Sequence, residues 1–143
     1  MTASISASVS AQTSLRSGLF QCLEADGTLT GLLGGSRLFD GVPRAQAMPF
    51  LVLQDLESKP VLSDPEDGFV HDLTLSVYSR GESRDEAVAI AERACETLIH
   101  GPVQLSGHRL VNLTLGSVQS RRFRDGRGFQ AAIRLRAVTE PVA

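Results

Sequence analysis

The sequence predicts an α+β domain, a four-stranded and mainly antiparallel sheet covered on one face by two helices. Three observations predict it. Leu73, Leu75 and Val77 alternate with Asp72, Thr74, Ser76 and Tyr78, the period-two pattern of a strand with one buried face. Phe129, Ala131, Ile133, Leu135 and Ala137 alternate in the same way with Gln130, Ala132, Arg134 and Arg136. Between these two strands, Ala87, Ile90, Ala91, Ala94 and Leu98 recur at helical spacing.

The first helix is expected from about Ser14 to Ala25, with Leu15, Leu19, Cys22 and Leu23 as its apolar stripe and Asp26-Gly27 as its stop. Thr28 to Leu33 reads as a short helical turn closed by Gly34-Gly35, and Arg37 to Pro43 as an extended segment broken by Gly41 and Pro43. Pro49 opens an apolar strand, Phe50-Leu51-Val52-Leu53, which ends near Leu56 or Glu57. Both of its faces are apolar, so it is buried on two sides or covered on one by another subunit. Ser58 to Gly68 is a long acidic loop, and long loops carry function or motion.

Ser83 and Glu86 have the spacing of a capping box that starts the second helix, and Gly101-Pro102 ends it. A strand from Arg109 to about Arg122 follows, and its apolar parity slips at Gly116, which predicts a β-bulge. Arg124-Asp125-Gly126-Arg127-Gly128 has the composition of a hairpin turn into the last strand. Residues 14–140 therefore form one domain. Residues 1–13, rich in Ser, Thr and Ala, read as a flexible arm that is neither a signal peptide nor a membrane span.

Composition narrows the function classes. The 143 residues carry a formal net charge of only −2, so bulk charge does not point to nucleic acid. With no Trp and one Tyr, stacking platforms for single strands are poor. Cys22 and Cys95 fall on or beside apolar helix faces and read as buried free thiols. The cysteines and His71, His100 and His108 show no metal-ligand spacing. His100 sits at a helix C-terminus, where the dipole favours a cation. His71 and His108 sit at strand entrances and are expected to be exposed.

No hydrolase, kinase or dehydrogenase motif is present, and no catalytic, cofactor-binding or metal residue is assigned. Gly31 to Gly35 follows a helix and lacks the Gly-Lys-Ser/Thr ending of a phosphate loop. The candidate residues are instead those of an interface. Arg121, Arg122, Arg124 and Arg127 cluster at a hairpin tip, with Arg134 and Arg136 further along the last strand. They form a solvated charged tip, a patch for an acidic surface or phosphate backbone, or one half of a subunit contact. Asp64, Glu66 and Asp67 in the long loop supply an acidic counterpart, and heterologous contacts of this kind close into rings. Phe50 and Val52 are the apolar candidates for a covered strand face.

Arg37-Leu38-Phe39-Asp40-Gly41-Val42-Pro43 and Met48-Pro49-Phe50-Leu51-Val52-Leu53 bring a known family into view. Further likeness lies in Asp72 to Ser79, the Glu86 to Leu98 helix, Gly107 to Asn112 and Arg134 to Glu140. Over roughly residues 15–140 the chain resembles the tail terminator, or tail-completion, proteins of tailed phages and of phage-derived gene transfer agents. The resemblance implies a structural virion protein with no catalytic residues and no cofactor. It implies a hexameric ring at the head-proximal end of the tail tube, which stops tail polymerisation and docks a head-completion protein. It further implies that DNA passes through the lumen without sequence-specific binding, with no membrane involved, and the subunit is expected to be cytoplasmic before assembly. The rival readings are another head–tail connector, a small α+β ligand-binding protein or enzyme, and a nucleic-acid-binding module. The second would need a deep pocket with convergent polar groups.

Overall fold

The computed structural model describes residues 2–63 and 67–142. Its elements are helix α1 (Thr2–Glu24), helix α2 (Gly27–Leu33), strand β1 (Leu38–Asp40), strand β2 (Phe50–Pro60) and a 3-10 turn at Val61–Ser63. Strand β3 (Phe69–Ser79), helix α3 (Asp85–His100), strand β4 (His108–Arg122) and strand β5 (Phe129–Pro141) follow. The fold is α+β as expected, but with five strands and three helices rather than four and two.

The strand order is β1-β2-β3-β5-β4. β1 runs parallel to β2, pairing Leu38 with Leu51 and Asp40 with Leu53. Every other neighbour is antiparallel. The sequence showed this extra strand only as an extended segment, because three residues cannot display an alternation. β2 also runs past the expected end at Glu57 to Pro60, where its outer half is paired to β3.

The core forms where the odd-numbered residues of β3 and β5 meet α1 and α3. Leu73, Leu75, Val77, Ile133 and Leu135 lie at 2% exposure or less, against Leu15, Leu19 and Leu23 of α1 and Ile90 and Leu98 of α3. Each such side chain, fully buried, contributes about 1.5–3 kcal/mol. α2 packs on α1 and α3, with Leu29 and Leu33 inward, and Gly34 ends it in the left-handed region at φ +81°. The bulge predicted at Gly116 is present as a register shift between Leu115 and Ser117, and a second shift lies between Leu110 and Asn112.

Two local expectations are corrected. α1 begins at Thr2 rather than Ser14, so residues 2–13 are helical. The Ser83–Glu86 capping box does not form. Ser83 Oγ accepts from the Asp85 N–H at 3.1 Å, while Glu86 receives the hydroxyl of Ser79 and ties the helix start to the end of β3. α3 ends at His100, as Gly101-Pro102 predicts, and the extended Gly101 donates its N–H to the Thr97 carbonyl at 2.8 Å.

Candidate assembly surfaces

The β4–β5 hairpin tip is built from its turn outward. Gly126 takes φ +72°, and Asp125 Oδ1 accepts from the Arg127 N–H at 2.9 Å, so an Asp-Gly pair shapes the bend. The Phe123 N–H donates to the Gly128 carbonyl at 2.8 Å and closes it. The guanidinium of Arg122 lies 5.3 Å from the ring centre of Phe129, and that of Arg84 lies 5.4 Å from the same ring. Arg121 turns the other way and donates to Gln130 Oε1 at 3.2 Å. Arg124 and Arg127 are exposed. The four predicted arginines thus share one tip but not one role.

The antiparallel pairing of β3 with β5 brings two more arginines to this end. Arg80 lies 3.9 Å from Asp125, and Arg84 donates to Ser120 Oγ at 3.1 Å. Neither was assigned from the sequence, because only the strand order places the start of α3 beside the hairpin.

The acidic loop occupies the opposite end of the sheet. Asp67 is exposed there, while Asp64 and Glu66 lie outside the described residues. The Val61 N–H donates to the Gly68 carbonyl at 2.9 Å and closes the loop base. Gly68 sits at φ +110°, where an added Cβ would run into the Thr139 carbonyl. The 11 residues of β3 separate this loop from the arginine tip, about 35 Å at the rise of an extended strand. Asp67 and the arginine tip of one chain therefore cannot meet each other.

Phe50 and Val52 are 3% and 0% exposed on one face and Leu51 and Leu53 are 0% and 4% exposed on the other, so the chain itself covers both faces of the apolar strand. Phe50 stacks on Tyr78 at 5.2 Å and meets Phe39 edge-on at 6.1 Å, while Tyr78 continues the row to Phe123 at 6.0 Å. These residues brace the root of the hairpin rather than offering contact surface.

Two surface features had no signal in the sequence. A hydrogen-bond ladder crosses four strands, from Arg121 of β4 to Gln130 of β5, to Ser76 of β3 and on to Gln54 of β2. Gln54, Arg121 and Gln130 line a polar cleft of about 180 Å³, with Asp55 and Arg134 beside them. The other feature is β4 itself, a free sheet edge with Val111, Leu115 and Val118 each nearly half exposed. An edge that long with apolar side chains is where another chain can add.

The described residues contain no group of three or more His, Cys, Asp or Glu able to hold a metal ion. Cys22 and Cys95 are free, and burial raises both thiols, which disfavours thiolate chemistry. No helix among the described residues is long and apolar enough to cross a membrane.

Comparison with known proteins follows the same outline. A family profile described as Tail completion protein gp17 matches residues 17–140. A chain in the structure titled "Virion of native gene transfer agent (GTA) particle" is 27% identical, with a TM-score of 0.78. That likeness covers 91% of this chain and 97% of the other. The structure of bacteriophage SPP1 gp17 protein is 20% identical with a TM-score of 0.59, covering 93% of this chain and 91% of that one. At that identity the likeness speaks for the fold. No curated protein sequence matches the chain.

Proposed function

Because this chain belongs to the Tail completion protein gp17 family, we propose that it is a tail terminator of a phage-like particle. It forms a hexameric ring on the head-proximal end of the tail tube, ends tube growth and presents the surface on which a head-completion protein docks. DNA passes through the lumen without being read. The protein works through contacts between surfaces rather than through chemistry, and its final location is the virion tail.

The observation that carries this reading is the family match over residues 17–140, joined by a likeness to a gene transfer agent virion chain that spans nearly all of both chains. The charge layout supports it. A ring needs two different patches on each subunit, each complementary to the other. Arg122, Arg124 and Arg127 at one end of the sheet and Asp67 at the other make such a pair. Because they lie far apart within one chain, their partners are on neighbours.

Charge reversal tests the contact. In native mass spectra, Arg122→Glu with Arg124→Glu lowers the hexamer fraction, and adding Asp67→Arg restores part of it. A hexamer unaffected by the double reversal would remove the tip from the subunit interface. The alternative reading, another connector at the head–tail joint, places the ring on the head side, away from free tube ends.

A further inference from the structure

The two halves of α1 are held to the sheet by different chemistry. From Leu15 onward the attachment is apolar, through Leu15, Leu19 and Leu23. Before it, residues 1–13 contain no charged side chain, and Ile5 and Val9 face solvent at 67% and 59% exposure. Apart from the buried Ala11, this first half is tied down by polar groups. Ser10 Oγ lies 3.1 Å from His108 Nε2. Gln12 Nε2 donates to Ser58 Oγ at 3.0 Å and to the Leu56 carbonyl at 3.3 Å. Ser14 Oγ donates to the Ser106 carbonyl at 2.8 Å, where the two regimes meet.

Beneath this half lie two buried histidines. His71 is fully buried, with Nδ1 at 2.6 Å from Ser58 Oγ and Nε2 at 2.8 Å from Thr139 Oγ1. Each ring nitrogen thus faces a hydroxyl that can give or take a proton, and Ser58 Oγ also accepts from Gln12. A neutral ring is satisfied in either tautomer, donating to one hydroxyl and accepting from the other. His108 is 9% exposed, and its Nδ1 is buried without a hydrogen-bond partner.

We propose that the first half of α1 is an acid-released latch: a proton added to His71 undocks residues 2–13 and leaves residues 15–24 in place. A protonated His71 carries hydrogen on both nitrogens. Ser58 and Thr139 must then both accept from the ring, and the hydroxyl that had donated to the neutral ring loses that acceptor. The new charge lies beside His108 and beneath a helix half that offers no carboxylate to answer it. Asp72 is the adjacent carboxylate, but it is paired to Arg136 at 3.4 Å; Glu140 is paired to Arg109, and Glu57 to Lys59. Burial, with His108 beside it, pushes the His71 pKa down to about 4, against a raising contribution from Asp72. Undocking would wet the ring and relieve that penalty.

Hydrogen exchange on the whole protein, corrected for intrinsic rates, tests this at about pH 7.5 and about pH 5. At the lower pH the amides of residues 5–13 lose protection by about tenfold or more while those of residues 15–23 keep theirs. His71→Asn, which cannot take the proton, holds the two segments equally protected at both pH values. Gln12→Ala, which leaves the core untouched, lowers protection in residues 5–13 already at the higher pH. This second variant decides the matter if His71→Asn does not fold. Full protection of residues 5–13 at the lower pH, simultaneous loss in both segments, or an unchanged profile in Gln12→Ala would each overturn the latch.

Discussion

Arg93 of α3 forks onto Asp26, the residue that separates α1 from α2, with Nε 2.7 Å from Oδ2 and a terminal nitrogen 2.9 Å from Oδ1. Thr97, one turn further along α3, donates its hydroxyl to the same Oδ2 at 2.6 Å. One carboxylate thus fixes three helices at a single corner, and planar two-point pairing gives that corner its geometry. Asp26→Asn keeps the shape but loses the charge. It is expected to lower the melting temperature by a few degrees in a scanning calorimeter, with the strands intact by circular dichroism.

The same pair sets one part of the acid response. The Arg93 hydrogen bond, then that of Thr97, holds the Asp26 carboxyl well below the usual carboxylate range of 3.8. A carboxylate with a depressed folded pKa contributes stability that is present above the unfolded value and lost as pH falls through the folded one. The Asp26 contribution therefore disappears only below about pH 4. His71 acts in a higher window. Its folded value of about 4 lies below its ordinary 6.5, so its contribution is present above 6.5 and is lost as pH falls toward 4, by at most about 3 kcal/mol. Urea titrations across pH should show two separate declines, with Asp26→Asn removing the lower and His71→Asn the upper.

Gly18 lies inside α1, where alanine would ordinarily stabilise a helix by about 1 kcal/mol. Here a Cβ would stand 2.6 Å from the Gln104 carbonyl and 2.6 Å from Leu105 Cδ2. The segment between α3 and β4 crosses the helix at this glycine. Gly18→Ala is therefore expected to destabilise the protein by roughly 1–3 kcal/mol, read as a lower urea midpoint with an unchanged slope.

The ladder across the open face makes a sharper claim than a salt bridge would. Ser76 Oγ donates to Gln54 Oε1 at 2.6 Å and accepts from Gln130 Nε2 at 3.2 Å, at full burial. Ser76→Ala strips a partner from both amides, at a cost of about 1–3 kcal/mol. Replacing Gln54, Ser76 and Gln130 together by apolar residues should cost less than the sum of the single changes, because the polar groups that Ser76 joins are then removed with it, and the exposed Arg121 is left to water.

The sequence carried the fold wherever periodicity alone decides structure. β3, β5 and α3 present clean alternation or a clean stripe, and the Gly116 bulge showed as a parity slip. β1 was invisible as a strand because three residues hold no pattern, and its pairing to β2 is a tertiary fact. The first half of α1 was invisible for another reason. Its apolar side chains Ile5 and Val9 face outward, and the contacts that hold it are hydroxyl and amide bonds to distant residues. That one omission produced another. His71 and His108 were expected to be exposed at strand entrances, yet they are buried beneath the helix half that the sequence did not reveal.

The candidate interface residues divide in the same manner. Composition located the arginine tip and the acidic loop, since charge at a turn needs no fold to be seen. It could not separate Arg121, which belongs to the ladder, from Arg122, which lies against Phe129. Nor could it show that Phe50 and Val52 are already covered, because what covers them comes from elsewhere in the chain.

Negative-stain imaging of tail tubes assembled with and without this protein tests the central claim most directly. Six-fold rings at one end of every tube, with tube growth arrested there, is the predicted result. Tubes that keep growing and carry no ring at either end, in the presence of excess folded protein, would contradict it.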